Sequence, residues 1–410
     1  MNKNTIYDER NIPTVVNGVG TRTQVSGARL RSEAREAMKQ ASSAHVYLTD
    51  LQAYASEQIA PELNADAALV TAGTTAGLVL ATGACIARDN YGVMAELPDT
   101  DAPSEIIIPR SHHCKYDVAF RVGGGTLIDV GPVSHHPVDG GTDLVRPWQI
   151  DDAINDDTAA VAYLARPYNR LPLEDVVDVA HDADVPVIVD AAGETHPPAQ
   201  LRSFLEVGAD LVAFSGGKRI RGPQSSGVLV GRDDLIQSAA VQSLSDGYHR
   251  DVWSPPTDYI EPDRFSGVPP NGIGRSMKVD KETLIGLVRA FECYIEEDHV
   301  TTAENITERA ERVADRIDES DAFKVYLTSG DEHKPLSVVA ELTEASGVSN
   351  AATLIRRLRR EKPRVWVGES RIHLNQITVD ATCLTDPEAS FLAERVVSVG
   401  ESVDHEPSGE

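Results

Sequence analysis

Lys218 stands in the tetrapeptide Ser215-Gly216-Gly217-Lys218, directly after the apolar stretch Asp210–Phe214, which reads as a β-strand. A lysine amine attacks carbonyl groups only when it has lost its proton, and removal from water favours that neutral form. A strand followed by a small-residue turn can deliver such an amine to the carboxyl edge of a parallel sheet, where open α/β folds bind ligands. A surface lysine in a glycine turn is the other reading, and the tetrapeptide by itself does not decide. A second feature points to the same edge. The apolar run Val185–Val189 ends in Asp190-Ala191-Ala192. The interval from Asp190 to Lys218 (218 − 190 = 28 residues) holds one helix, Gln200–Val207, and one strand, so the two side chains come from neighbouring elements. An acid there can keep a proton on a ring nitrogen, although it could also cap the segment that follows. Thr71-Ala72-Gly73-Thr74-Thr75-Ala76-Gly77 follows a strand and opens a helix. Its glycines let the backbone approach a ligand, and a helix N-terminus offers free N–H groups and a positive dipole to a phosphate. The hydroxyls of Thr74 and Thr75 add donors; an ordinary helix start is the alternative. His112, just after the strand Glu105–Pro109, offers a flat ring for stacking, with His113 as a rival and a solvent-facing histidine as the plain reading.

An imine-forming lysine, an acid for a ring nitrogen, a phosphate cradle and a stacking ring are together what pyridoxal 5'-phosphate (PLP) asks of a protein. Its pyridinium must stay protonated for the ring to act as an electron sink.

The elements that must position these groups alternate. Leu51–Leu63 reads as a helix, Ala67–Thr71 as a strand and Thr74–Arg88 as a small-residue helix. Glu105–Pro109, Thr126–Val130, Thr158–Leu164, Val185–Val189, Asp210–Phe214 and Gly227–Val230 read as strands, with helices such as Glu174–Ala183 between them. The continuous apolar run Val185–Val189 is the pattern of a central parallel strand. This alternation predicts an α/β domain over residues 50–290. Residues 1–49 read as an irregular N-terminal arm. Ser254–Gly274 carries five prolines and predicts a long ordered segment packed against another chain. Helices near Lys281–Glu297, Thr301–Ser320 and Asn350–Arg360 follow. With strands near Phe323–Thr328, Leu336–Leu342, Arg364–Val367 and Arg371–Asn375 they predict a smaller α+β domain over 291–400, then a polar tail, 401–410.

Composition sets outer limits. The net charge is −26, from 64 acidic and 38 basic residues, and such a surface repels nucleic-acid phosphates. Arginine outnumbers lysine, and strong acidity with scarce lysine points to a salt-loving source in which ionic strength screens self-repulsion; an acidic mesophilic enzyme is the alternative. Cys85, Cys114, Cys293 and Cys383 are dispersed, so neither a disulfide framework nor a metal site is expected. No run of about 18 apolar residues occurs, and Met1–Arg10 lacks the apolar core of a signal peptide, so a cytoplasmic location is expected.

The motifs also carry a family likeness. Val16-Asn17-Gly18-Val19-Gly20, Val70–Ala87, the run from Asp190-Ala191-Ala192 to Gly208-Ala209-Asp210, the long stretch Phe214–Gly227 around Lys218, and Gly274-Arg275-Ser276-Met277-Lys278-Val279 resemble the fold-type-I PLP enzymes. More narrowly they are similar to the group related to selenocysteine synthase and D-glucosaminate-6-phosphate ammonia-lyase. The resemblance implies a large domain with a mostly parallel seven-stranded sheet and a smaller C-terminal domain. It implies Lys218 as the Schiff-base lysine, Asp190 as the pyridinium partner, and Thr74, Thr75 and Ser215 as phosphate ligands. Arg275 would reach a phosphate from a neighbouring subunit of a homodimer or larger assembly. Arg371 would take a substrate carboxylate, a bidentate task suited to a guanidinium, or else form a surface salt bridge. Selenocysteine synthase carries an extra N-terminal tRNA-binding domain that is not expected here, since the Asn17 motif begins almost at the start, and this with the acidity favours a small amino substrate. The expected reaction is that of a lyase acting on an amino sugar acid or hydroxy amino acid. The alternatives are a transferase adding a nucleophile to an aminoacrylate, or a PLP-fold binding protein without catalysis.

Overall fold

The computed structural model describes residues 5–132, 145–167, 169–244, 249–328 and 336–403. The chain divides into two units, Leu30–Glu296 and the pair of segments Met1–Arg29 with Glu297–Glu410.

The first unit is built on a seven-stranded sheet. Its strands are β1 (Ala67–Thr71), β2 (Glu105–Pro109), β3 (Thr126–Val130), β4 (Thr158–Leu164), β5 (Val187–Asp190), β6 (Leu211–Ser215) and β7 (Gly227–Gly231). They lie in the order β1-β7-β6-β5-β4-β2-β3. Only β7 runs against the rest, pairing antiparallel with β1 and β6, so the sheet is mostly parallel, as the alternation predicted. The unbroken apolar runs follow from burial on both faces. Val187, Val189, Val212 and Phe214 enter one core, shared with Leu284, Leu287 and Phe291 of the helix Lys281–Ile295. Ile188, Leu211, Ala213 and Leu229 enter the other, shared with Leu78, Val79 and Ala81 of the helix Thr74–Ala87.

Strand alternation then decides where the polar strand ends point. Thr71, Leu164, Asp190 and Ser215 fall on the face covered by the helix Thr74–Ala87. They also fall at one edge: Thr71 pairs with Gly227, Gly227 with Ser215, and Leu164 with Asp190. The small-residue character of that helix lets it lie close to the sheet, where a Cβ at Gly77 would already touch Ala213 and Thr71 Oγ1, each at 3.4 Å.

Ser254–Gly274 is ordered and packs in part into its own unit. Tyr259, Ile260 and Phe265 are buried in this unit's own core, Val268 is buried as well, and the Tyr259 hydroxyl donates to the Ala68 carbonyl at 3.2 Å.

The second unit holds a three-stranded antiparallel sheet, Gln376–Asp380, Ser337–Leu342 and Phe323–Thr328 in that order, with helices His299–Asp318 and Asp386–Glu401. The helix Asp386–Glu401 starts on a capping box, in which Thr385 and Glu388 bond reciprocally, with Pro387 in the first turn. The opening residues are not wholly irregular: Val15–Gly18 is a strand paired parallel with Arg364–Val367. The strand expected over Arg371–Asn375 is instead a 3-10 turn, Ile372–Leu374, and the strand begins at Gln376. Asn375 takes a left-handed φ of 57°, which ends any extended run there. Of the expected tail, Glu401 closes the last helix and residues 404–410 lie outside the described residues. Among the described residues no helix is long and apolar enough to cross a membrane.

Candidate active site

Lys218 lies three residues past the end of β6, in a turn that closes on itself. The Gly222 N–H donates to the Gly216 carbonyl at 2.8 Å and the Arg221 N–H to the Lys218 carbonyl at 3.1 Å. Gly217 is required by close approach, since a Cβ there would sit 2.6 Å from the Gln224 Cα. Arg31 ties the far side of the turn down: its Nε donates to the Ile220 carbonyl at 2.9 Å and its N–H to the Arg221 carbonyl at 3.0 Å. Nothing in the sequence pattern marked Arg31, because its partners are carbonyls about 190 residues away. Lys218 itself is half-buried, and burial pushes its amine below the usual lysine range against the attraction of Asp190 and Glu194.

Asp190 ends β5, the strand next to β6. Its Oδ1 accepts the Ala192 N–H at 2.9 Å, its one hydrogen bond among the described residues. Burial pushes this carboxyl above the ordinary aspartate range, opposed by the Ala192 N–H, Lys218 and Arg166, while Asp117 adds to the rise. A buried carboxylate with an oxygen to spare suits a cationic N–H partner, which would return the group to its charged form.

Thr74 and Thr75 open the helix Thr74–Ala87, whose N-cap is Gly73 at φ 86°. Glycine tolerates that angle and brings no side chain, so no side-chain cap satisfies the first-turn N–H groups. Ser215, the last residue of β6, is buried at the same edge.

His112 is buried, 1% exposed, which rules out the solvent-facing reading. Its Nδ1 accepts the Leu164 N–H at 3.4 Å, and its ring meets Tyr163 edge-on with centroids 4.6 Å apart. Since Leu164 pairs with Asp190, this places His112 beside the acid. His113 has a different environment, held between Asp117 and Asp129. Arg166, just past the end of β4, was missed in the sequence although it obeys the same strand-end rule as Asp190. Its guanidinium reaches the Ser111 and His113 carbonyls at 3.5 and 3.4 Å.

Arg275 is exposed in the 3-10 turn Ile273–Met277 of the first unit. Arg371 belongs to the second unit, where its Nη1 donates to Gln376 Oε1 at 3.4 Å. Thus Lys218, Asp190, Ser215, Thr74, Thr75 and His112 gather at one sheet edge, while the two arginines are not part of that group. Among the described residues no cluster of His, Cys, Asp and Glu could hold a metal ion. The amine, the acid and the uncapped helix N-terminus fit the three distinct ends of PLP.

Known proteins match nearly the whole length. The chain is 28% identical over 399 residues to 5'-C-glycyluridine monooxygenase-decarboxylase of a Streptomyces species, covering 94% of this chain and 90% of that protein. It is 25% identical over 406 residues to D-glucosaminate-6-phosphate ammonia lyase of Salmonella typhimurium, covering 97% and 98%. A solved structure of D-glucosaminate-6-phosphate ammonia-lyase superposes with a TM-score of 0.79 over 97% of this chain and 98% of that one, at 24% identity. L-seryl-tRNA(Sec) selenium transferase of Alkaliphilus metalliredigens is 23% identical over 75% of this chain and 66% of its own length. The family model described as aminotransferase class-V matches residues 28–355. That is most of the 410 residues, and the chain therefore belongs to the class-V aminotransferase family and is a PLP-dependent enzyme.

Proposed function

We propose that this enzyme is a lyase that eliminates water from a small 2-amino-3-hydroxy compound, an amino sugar acid or a hydroxy amino acid, to an enamine whose hydrolysis by water releases ammonia and leaves a 2-keto acid. The observation that carries the reading is the gathering of Lys218, Asp190 and the Thr74 helix N-terminus at one sheet edge. It is supported by the near full-length likeness to a protein named as an ammonia lyase. When bound, PLP supplies an electron sink for the pair left behind by a departing Cα proton. Asp190 holds a proton at the ring nitrogen through a charge-assisted bond. Thr74, Thr75 and Ser215 anchor the phosphate at the helix N-terminus. Lys218, whose burial favours the uncharged amine, takes the Cα proton. His112 would lie beside the ring when the cofactor is bound. Arg275, exposed on its own unit, is offered to a second copy in a homodimer, and Arg371 to the substrate carboxylate.

A second reading has its own support, since the relative with 28% identity is named as a monooxygenase-decarboxylase. One experiment separates the two. Incubating the PLP-loaded enzyme with a panel of hydroxy amino acids and amino sugar acids should release ammonia and 2-keto acid in equal amounts without consuming oxygen. Oxygen uptake with carbon dioxide release would replace the lyase reading by the oxidative one.

A further inference from the structure

The residues at the β2–β3 end of the sheet are not used by the proposed chemistry, yet His113, Asp117 and Asp129 form a bonded polar cluster there. His113 Nδ1 lies 2.5 Å from Asp117 Oδ2 and its Nε2 lies 2.8 Å from Asp129 Oδ1. A neutral imidazole has one N–H and would turn a lone pair toward one carboxylate; with a carboxylate at each nitrogen, the ring carries both protons as an imidazolium. Asp117 is buried and closes its own loop by accepting the Cys114 N–H through both oxygens, at 3.0 and 3.1 Å. Asp129 belongs to β3 and pairs with Ile108 of β2, so the clamp ties the loop after β2 to the neighbouring strand. Arg110 faces Asp129 at 3.8 Å from the other side. Arg166 reaches the carbonyls of Ser111 and His113, the residues on either side of His112.

The consequence falls on His112. Its side chain accepts a weak hydrogen bond from Leu164, the residue paired with Asp190. Its backbone is gripped on both sides: by Arg166 at the flanking carbonyls, and by the two-carboxylate clamp on the next side chain. We infer that His113 is a positioning residue, fixing the Arg110–Cys114 loop so that His112 stays beside Asp190 where the cofactor ring binds. This rests on the reading that the sheet edge holds PLP.

The clamp has a proton-dependent sign. Burial lowers the His113 pKa, but Asp117 and Asp129 outweigh it and the net shift is upward from the ordinary imidazole value. The contribution is therefore complete on the acid side and lost as pH rises through the folded-state pKa, when two carboxylates face a neutral ring and Arg110 remains beside Asp129.

The test is the PLP dissociation constant, read by absorbance titration of the full chain across pH for wild type, His113→Gln and Asp129→Asn. Wild type should weaken about tenfold across the His113 ionisation, the scale of one lost charge-assisted contact. His113→Gln should bind about tenfold more weakly on the acid side and lack that step. Asp129→Asn, a near-isosteric change at a part-exposed site, should keep the step but move it to lower pH. Lys218 and the cofactor phosphate titrate in all three proteins alike, so the differences report the clamp. Wild-type affinity and an unchanged pH profile in Asp129→Asn would overturn the inference while leaving the cofactor reading intact. A wild-type protein that binds no PLP would overturn both.

Discussion

Lys218 and Asp190 sit in surroundings that disfavour the charge each would carry in water, and this gives a test independent of turnover. Asp190 has its folded pKa raised by burial. The folded state thus holds the proton more tightly than the unfolded one, and the stability of the cofactor-free protein falls as pH rises from the ordinary aspartate range toward that raised value. Asp190→Asn removes the penalty. The cofactor-free variant should melt higher than wild type at neutral pH while losing about 10²-fold in turnover, the scale of a charge-assisted hydrogen bond. A variant that melts lower and turns over normally would remove Asp190 from the site. Lys218→Ala should abolish the visible absorbance of the bound cofactor and lower turnover by about 10²–10⁴-fold, as expected for loss of a general base. An unchanged spectrum in that variant would contradict the assignment.

At the scale of elements, the site depends on one turn packed without slack. Gly217→Ala places a methyl against the Gln224 backbone, and overpacking of this kind costs about 1–3 kcal/mol. The strain falls on the turn that aims Lys218, so PLP affinity should drop along with the melting temperature. Arg31→Ala should weaken PLP binding as well, because it frees the Ile220 carbonyl at the far side of the turn; equal affinity in the variant would show that the turn holds itself. These elements also show what can be read from a sequence. The strand runs ending at Asp190 and Ser215 were legible because burial on both faces leaves an apolar signature, and both ends fell within a residue of expectation. The strand Val15–Gly18 was not legible, since four residues with two inward carry too little periodicity and its partner lies near the other end of the chain. Arg371 was expected on a strand over Arg371–Asn375, yet Asn375 turns left-handed and breaks the run. His113's clamp was not legible, because its two carboxylate partners come from different elements and only the fold brings them together.

For the whole molecule, the −26 charge makes two statements that solution measurements can check. Self-repulsion among carboxylates is screened by salt, so the melting temperature should rise steadily with added potassium chloride; a flat response would return the enzyme to the class of ordinary acidic proteins. Binding to seryl-tRNA at physiological salt should be undetectable, and tight binding with a steep salt dependence would favour the transferase alternative. If the proposed homodimer forms with Arg275 at the shared site, Arg275→Ala should weaken PLP binding more than association. The central claim remains that Lys218 is the residue to which PLP is attached. Reducing the PLP-loaded enzyme with borohydride and mapping its peptides should find the added mass of the reduced cofactor on the peptide that contains Lys218. The same mass on another lysine, or on none, would contradict the account.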